Sequence, residues 1–188
     1  MKRIVIFASG NGTNAENIVR YFNNRNSAVS ITIFSNNRKA KVLERAKKLR
    51  ISAFSFNKVA FFNSLDVLDV LKSLNPDLIV LAGFLWKIPE SIVNQFSKKI
   101  INIHPSLLPK FGGKGMYGIH VHDAVVKNKE IETGITIHYV NENYDEGSVI
   151  YQKKVSINPE DTSAIVADKV KMLEQECFPK VIESILMK

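Results

Sequence analysis

"KRIVIFASGNGTNAENIVRYFNN", Lys2–Asn24, decides the fold. It opens with a β-branched apolar run, "KRIVIFAS", breaks at "GNGTN", and continues in "AENIVRYFNN", where Ile18 and Phe22 stand at helical spacing with Val19 beside them. This is a strand, a tight turn and a helix. Thr13 and Glu16 have the spacing of a capping box, which predicts a helix start near Thr13 with its first amide groups turned toward the loop.

The same alternation runs outward from this unit. "AVSITIFS" reads as a strand, "KAKVLERAKKL" as a helix, "ISAFSF" as a short strand and "FFNSLDVLDVLKSL" as a helix. "PDLIVLAGF" has the unbroken apolar run of a strand buried on both faces, "PESIVNQF" is a short helix behind Pro89, and "KIINIH" is another strand. Alternation at this spacing predicts an α/β fold with a Rossmann-like, doubly wound, mainly parallel sheet. "GIHVHDAVVKN" reads as helical. "TGITIHYVN" and "GSVIYQKKVSI", joined by "ENYDEG", alternate more and predict an antiparallel extension near the C-terminus. A long last helix from about Asp161 carries Val166, Val170, Leu173, Cys177, Val181 and Ile185 on one face. With 188 residues and no long linker, residues 1–188 are expected to form one domain.

Apolar residues make up 45% and charged residues 23%, ordinary globular usage, so a folded rather than disordered chain is expected. No apolar run approaches the ~20 residues of a membrane helix, and the N-terminal run is too short for a secretory signal, so the expected compartment is the cytoplasm. Cys177 is the one cysteine and falls in a helical pattern, which reads as core packing. Lys plus Arg number 26 against 18 Asp plus Glu, a formal net charge of +8 that suits an anionic ligand. The basic residues are scattered and lack any nucleic-acid-binding motif, so neither nucleic acid nor membrane is an expected partner.

Ligands of open α/β sheets bind beyond the carboxyl ends of the strands. The loop "SGNGTN" falls there, where Gly10 and Gly12 let backbone approach an anion. It reads either as a phosphate cradle or as a plain βα turn capped by Thr13. Asn102 and His104, two residues apart in extended backbone before Pro105, face one side of their strand. They are either a hydrogen-bonded pair at a strand end or an amide donor beside an imidazole, suited to oxyanion stabilisation and proton transfer. Asp145 lies in a loop at the same sheet edge. It is either a solvated turn residue or a carboxylate that holds His104 protonated. "IHVH" lacks partners at ligand spacing, so no metal is assigned.

Together "SGNGTN", "VLAGFLWKIP", "INIHPSLLPKF", "ETGITIHYVNENYDEGSVIYQKKV" and "LEQECFP" resemble the small monofunctional phosphoribosylglycinamide formyltransferases, over nearly the whole chain. "NIHPSLLP" with the downstream "DEG" is similar to the shared site of the wider folate-dependent formyltransferase family. The resemblance implies formyl transfer from 10-formyltetrahydrofolate, a cosubstrate, to the amine of glycinamide ribonucleotide without a metal. It implies catalytic roles for Asn102, His104 and Asp145, substrate binding by Gly12, Thr13, Asn14 and Glu174, and a folate pocket of Leu85, Trp86, Lys87, Ile88, Asn102, Asn141, Glu142, Asn143, Tyr144 and Asp145. Trp86 and Lys87 depart from the commoner Met-Arg pair. An arginine usual early in the helix after the third strand has no match, with only Lys58 nearby.

Formyltetrahydrofolate hydrolase and formyltransferases acting on charged tRNA or sugar nucleotides are the alternative enzymes, and they usually carry a further domain. A silent nucleotide-binding module or a basic RNA-binding protein leaves the Asn102, His104 and Asp145 set unexplained. The expected partners are the two small-molecule substrates, and the expected assembly is a monomer or weak homodimer. Four glycines among residues 112–118 make that segment a candidate lid.

Overall fold

The computed structural model describes residues 1–187. Strands β1 (Lys2–Phe7), β2 (Val29–Ser35), β3 (Ser52–Ser55), β4 (Leu78–Leu81), β5 (Ile100–His104), β6 (Glu132–Tyr139) and β7 (Val149–Ser156) form one sheet in the order β3-β2-β1-β4-β5-β6-β7. The first five are parallel. β6 runs antiparallel to β5, and β7 antiparallel to β6, which is the expected extension.

Burial on both faces explains why the parallel strands read as unbroken apolar runs. Ile4 and Ile6 of β1 enter one core with α1 (Thr13–Asn24), α2 (Lys41–Leu49), α5 (Ile119–Lys127) and α6 (Ser163–Leu186). Val5 and Phe7 enter the other, with α3 (Asp66–Leu74) and α4 (Glu90–Gln95). Each residue step along the strand switches core, so neither face can be polar. Cys177 is buried in the first core, its Sγ 3.7 Å from the Tyr151 hydroxyl. None of the helices among the described residues is long and apolar enough to cross a membrane.

Two local expectations are corrected. Gly12, not Thr13, caps α1: it adopts φ 74° and ψ 26°, and its carbonyl accepts from Glu16 N at 2.9 Å with no side-chain cap. Glu16 is unavailable for a capping box because its carboxylate is held by Arg20 and Arg45, which also keep its pKa below the ordinary value. The helix expected across "FFNSLDVLDVLKSL" is broken in two. Val59–Asn63 forms a π-helical turn, and α3 begins only at Asp66. Asn57 Oδ1 takes the Ala60 amide at 2.9 Å, and Ser64 gives its hydroxyl to Asp66 at 2.7 Å, so polar side chains rather than helical bonds organise this stretch.

Candidate active site

The sheet reverses its winding between β1 and β4, and the loops after β1, β4 and β5 meet beyond that point. They enclose a cavity of about 680 Å³, closed on further sides by the segment 113–118, the β6–β7 loop and α6. The loops are tied to one another. Ser9 N donates to Gly83 O at 3.0 Å and Leu85 N to Ser9 Oγ at 2.9 Å, joining the β1 and β4 loops.

At the β1 loop, Gly12 lies against α2 so closely that a side chain there would collide with Val42. Its left-handed φ adds a second reason for glycine. Val42 N donates to Gly10 O at 3.1 Å, and Arg45 grips Asn11 twice, Nε to the carbonyl at 2.7 Å and Nη2 to Oδ1 at 2.8 Å. The loop is thus held from behind. With Gly12 as cap, the amides of Thr13, Asn14 and Ala15 precede the first intrahelical bond and remain available to an anion. Asn14 Nδ2 donates to Glu174 Oε2 at 2.9 Å across 160 residues of sequence. Burial pushes the Glu174 carboxyl above its ordinary pKa, against the pull of Asn14 and Lys171.

Asn102 and His104 alternate with Ile101 and Ile103 on β5, so both point away from the first core and toward the cavity. Asp145 reaches them from the β6–β7 loop. Its Oδ1 lies 3.4 Å from Asn102 Nδ2, and its Oδ2 lies 3.5 Å from His104 Nδ1 and accepts from Gly113 N at 2.9 Å. Asp145 itself has φ 55°, a strained backbone angle for a non-glycine residue, and those bonds hold it there. Gly147, two residues on, lies against the Tyr139 carbonyl where no side chain fits.

His138 completes the cluster, and the sequence reading missed it. It pairs across the strands with Asn102. Its Nδ1 is 2.8 Å from Tyr139 O, an acceptor only, so Nδ1 carries the proton and Nε2 is left to accept. Nε2 is 3.1 Å from Asn102 Nδ2, which fixes the orientation of the Asn102 amide, nitrogen toward His138 and Asp145. The one clue in the sequence is the lone polar ring within the apolar alternation of "GITIHYV".

Opposing influences act on the charge of His104. The ring is 3% exposed, and burial pushes its pKa below the ordinary value. Asp145 and the Phe111 carbonyl pull it up without prevailing. Both ring nitrogens of His104 face acceptors, Nε2 at 2.7 Å from Phe111 O and Nδ1 at 3.5 Å from Asp145 Oδ2. Burial raises the Asp145 pKa, but His138, His104 and the Gly113 amide outweigh it and hold the carboxyl below its ordinary value.

Leu85, Trp86, Lys87 and Ile88 form one wall of the cavity, and Asn141, Asn143, Tyr144 and Asp145 another. Lys87 Nζ stands 5.9 Å from the Tyr144 ring centroid. Glu142, exposed like Asn141 and Asn143 on either side of it, does not line the cavity. His122 of α5 reaches the cavity while His120 stays exposed beside Tyr117, so the two histidines of "IHVH" diverge.

The formyl transferase family matches residues 2–182. The chain is 37% identical over 193 aligned positions to a phosphoribosylglycinamide formyltransferase of Bacillus subtilis, covering 99% of this chain and 95% of that one. It is 36% identical to the enzyme of the same name in Haemophilus influenzae, covering 97% and 86%. The crystal structure of glycinamide ribonucleotide transformylase 1 from Geobacillus kaustophilus superposes with a TM-score of 0.88 at 35% identity, covering 99% of both chains. A match of this reach, carried by sequence and by backbone alike, places the chain in the formyl transferase family.

Proposed function

We propose that the chain transfers the formyl group of 10-formyltetrahydrofolate to the amine of 5'-phosphoribosylglycinamide, giving the formylated ribonucleotide and tetrahydrofolate in de novo purine biosynthesis. The observation that carries this reading is the meeting of Asn102, His104 and Asp145 at one end of a cavity whose other parts suit the two substrates. A volume of about 680 Å³ lies within the range of roughly 300–1,000 Å³ common for small-ligand sites. The apolar and aromatic wall of Leu85, Trp86, Ile88 and Tyr144 suits a flat pterin, with Asn141 and Asn143 to meet its polar edge. The free amides after Gly12 suit the phosphate, and Glu174 beside Asn14 suits the ribose hydroxyls.

The folate supplies an activated formyl carbon. As the amine adds to that carbon, charge collects on the formyl oxygen, and the Asn102 Nδ2 hydrogen now turned to Asp145 Oδ1 at 3.4 Å is a donor for it once released from that contact. His104 serves as the proton carrier: the proton given up by the amine is passed to the folate nitrogen as its bond to the formyl carbon breaks and the oxyanion collapses to the new amide. Asp145 favours the protonated ring against the pull of burial, and a proton on Nδ1 is received directly against its carboxylate. His104 Nε2 is engaged by Phe111 O. The formyl oxygen therefore competes with that carbonyl, and the 111–118 segment shifts as the substrates bind. Work in the cytoplasm, as a monomer or weak homodimer, belongs to the same reading.

The test is an assay of purified protein with 10-formyl-5,8-dideazafolate, with and without glycinamide ribonucleotide. Turnover that requires both supports transfer. Turnover with the folate analogue alone makes the chain a hydrolase.

A further inference from the structure

A second cleft, of about 700 Å³, opens beside the first at the carboxyl ends of β2 and β3, and the two share Trp86 as a wall. No other residue placed in formyl transfer lines it. Its surface is aromatic. Phe54, on the edge strand β3, is 45% exposed although its ring lies 5.4 Å from Phe34, and Phe56 stands 6.2 Å edge-on from Trp86. Concave aromatic surface left in water is the common mark of a ligand site.

The polar groups of this cleft are of two kinds. Arg38 and Lys58 line it, and neither takes part in an ion pair among the described residues. Lys58 Nζ rests instead 6.0 Å from the Trp86 ring centroid. Asn37 and Asn57 spend their Oδ1 atoms on backbone amides of Lys39 and Ala60, each at 2.9 Å, which leaves the Nδ2 donors. Asp66, the one acid of the lining, takes a hydroxyl from Ser64 at 2.7 Å and has a further oxygen to accept others.

Flat apolar walls call for a planar ring, two unpaired cations with amide donors call for an anion, and a carboxylate accustomed to a hydroxyl suits a sugar. We propose that this cleft binds a nucleoside 5'-monophosphate, with its base on the Phe54 and Trp86 side and its phosphate on Arg38 and Lys58. An aliphatic polyanion leaves the aromatic surface uncovered and a neutral aromatic leaves the cations unpaired, so neither satisfies the whole lining. The site is separate from the transfer chemistry and does not depend on the identity of the formyl acceptor.

Trp86 is the one tryptophan of the chain, so its fluorescence reports occupancy directly. AMP is titrated into the full chain with glycinamide ribonucleotide and 5,8-dideazafolate both held at saturation to fill the two halves of the first cleft. The expected result is a saturable change whose Kd weakens at least about tenfold in Arg38→Ser and in Phe54→Ser. Formyl transfer in both variants stays within about twofold of the parent. Ribose 5-phosphate and adenosine bind at least about tenfold more weakly than AMP. Both substituted side chains are solvent-exposed, and circular dichroism checks that the variants fold. The proposal is overturned by the absence of saturation up to about 10 mM AMP, a Kd weaker than cleft recognition of this kind gives. An unchanged Kd in the variants, loss of AMP binding when the ribonucleotide is added, or equal binding of ribose 5-phosphate overturns it as well.

Discussion

His104 is set between burial, which favours the neutral ring, and Asp145, which favours the charged one, and burial prevails. Replacing His104 by Ala is expected to lower kcat at least ~100-fold while the ribonucleotide still binds, because the lost group acts mainly in the transition state. Isothermal titration against single-turnover rates checks the split, and near-full activity would remove His104 from the mechanism. Asp145→Asn removes the negative neighbour, so the His104 pKa, already depressed, is expected to fall further as turnover drops. An imidazole titration by NMR that is the same in both proteins would contradict this coupling. His138→Phe keeps the ring's bulk and discards the Nε2 acceptor that orients Asn102. It is expected to lower kcat about tenfold with little change in either KM, and a change confined to KM would assign His138 to binding. The placement of Asn102 and His104 was legible because a strand's two-residue period and a following proline declare which side they face, and Asp145 was legible only as a loop residue at the same sheet edge. His138 was not, since a histidine inside an apolar strand reads alike whether it packs or works. The lowered pKa of His104 was hidden for a related reason, because burial depth belongs to the fold and leaves no mark on spacing.

The β1 loop and α1 were read from their glycines and periodicity, but the cap was misplaced. Thr13 and Glu16 have the right spacing, while the outcome was decided by Arg20 and by Arg45, which arrives from α2. A partner from another helix overrides the local signature there, whereas short-range side-chain bonds of Asn57 and Ser64 break the expected helix before α3. The loop's packing against Val42 gives its own expectation. Gly12→Ala must be accommodated at φ 74° and against α2, which displaces the first amides of α1. The KM for the ribonucleotide is expected to rise at least ~10-fold and that for the folate to stay within about twofold, measured by steady-state kinetics. Equal rises would point to a general loss of folding. The segment 111–118 answers to another measurement. Gly113 N holds Asp145 and Phe111 O holds His104, so both bonds couple this glycine-rich stretch to the catalytic pair. Hydrogen exchange across residues 110–120 is expected to change when both substrates are bound. Unchanged protection together with normal kinetics after shortening the loop would make it a spacer.

At the scale of the molecule, His104 and His122 are both buried with pKa values below the ordinary one, and His122 Nδ1 has no hydrogen-bond partner. For His122, burial is the leading cause, Asp123 opposes it and His104 adds to it. Between those folded values and about 6.5 the unfolded chain binds more protons than the native one. The stabilising difference is present above about pH 6.5 and is lost as pH falls through the folded values. The urea midpoint is therefore expected to be lower at pH 5.5 than at pH 7.5, with a smaller gap in His122→Leu. A gap of the same size would clear His122 of any part in it. The doubly wound sheet and its antiparallel edge were declared by apolar runs that give way to alternation after β5, since burial marks the central strands, while β3 at the edge is exposed throughout. What the alternation leaves unsaid is which loops touch. One such contact, between Asn14 and Glu174, has a consequence for how the protein is made. A ribosome releases the β1 loop before α6, so under the proposed function the nascent chain carries its phosphate loop without the helix that would complete the sugar side until α6 emerges. Affinity for the ribonucleotide is gained in one step when α6 docks, and an excess of that ligand captures newly made chains at their final stage of folding.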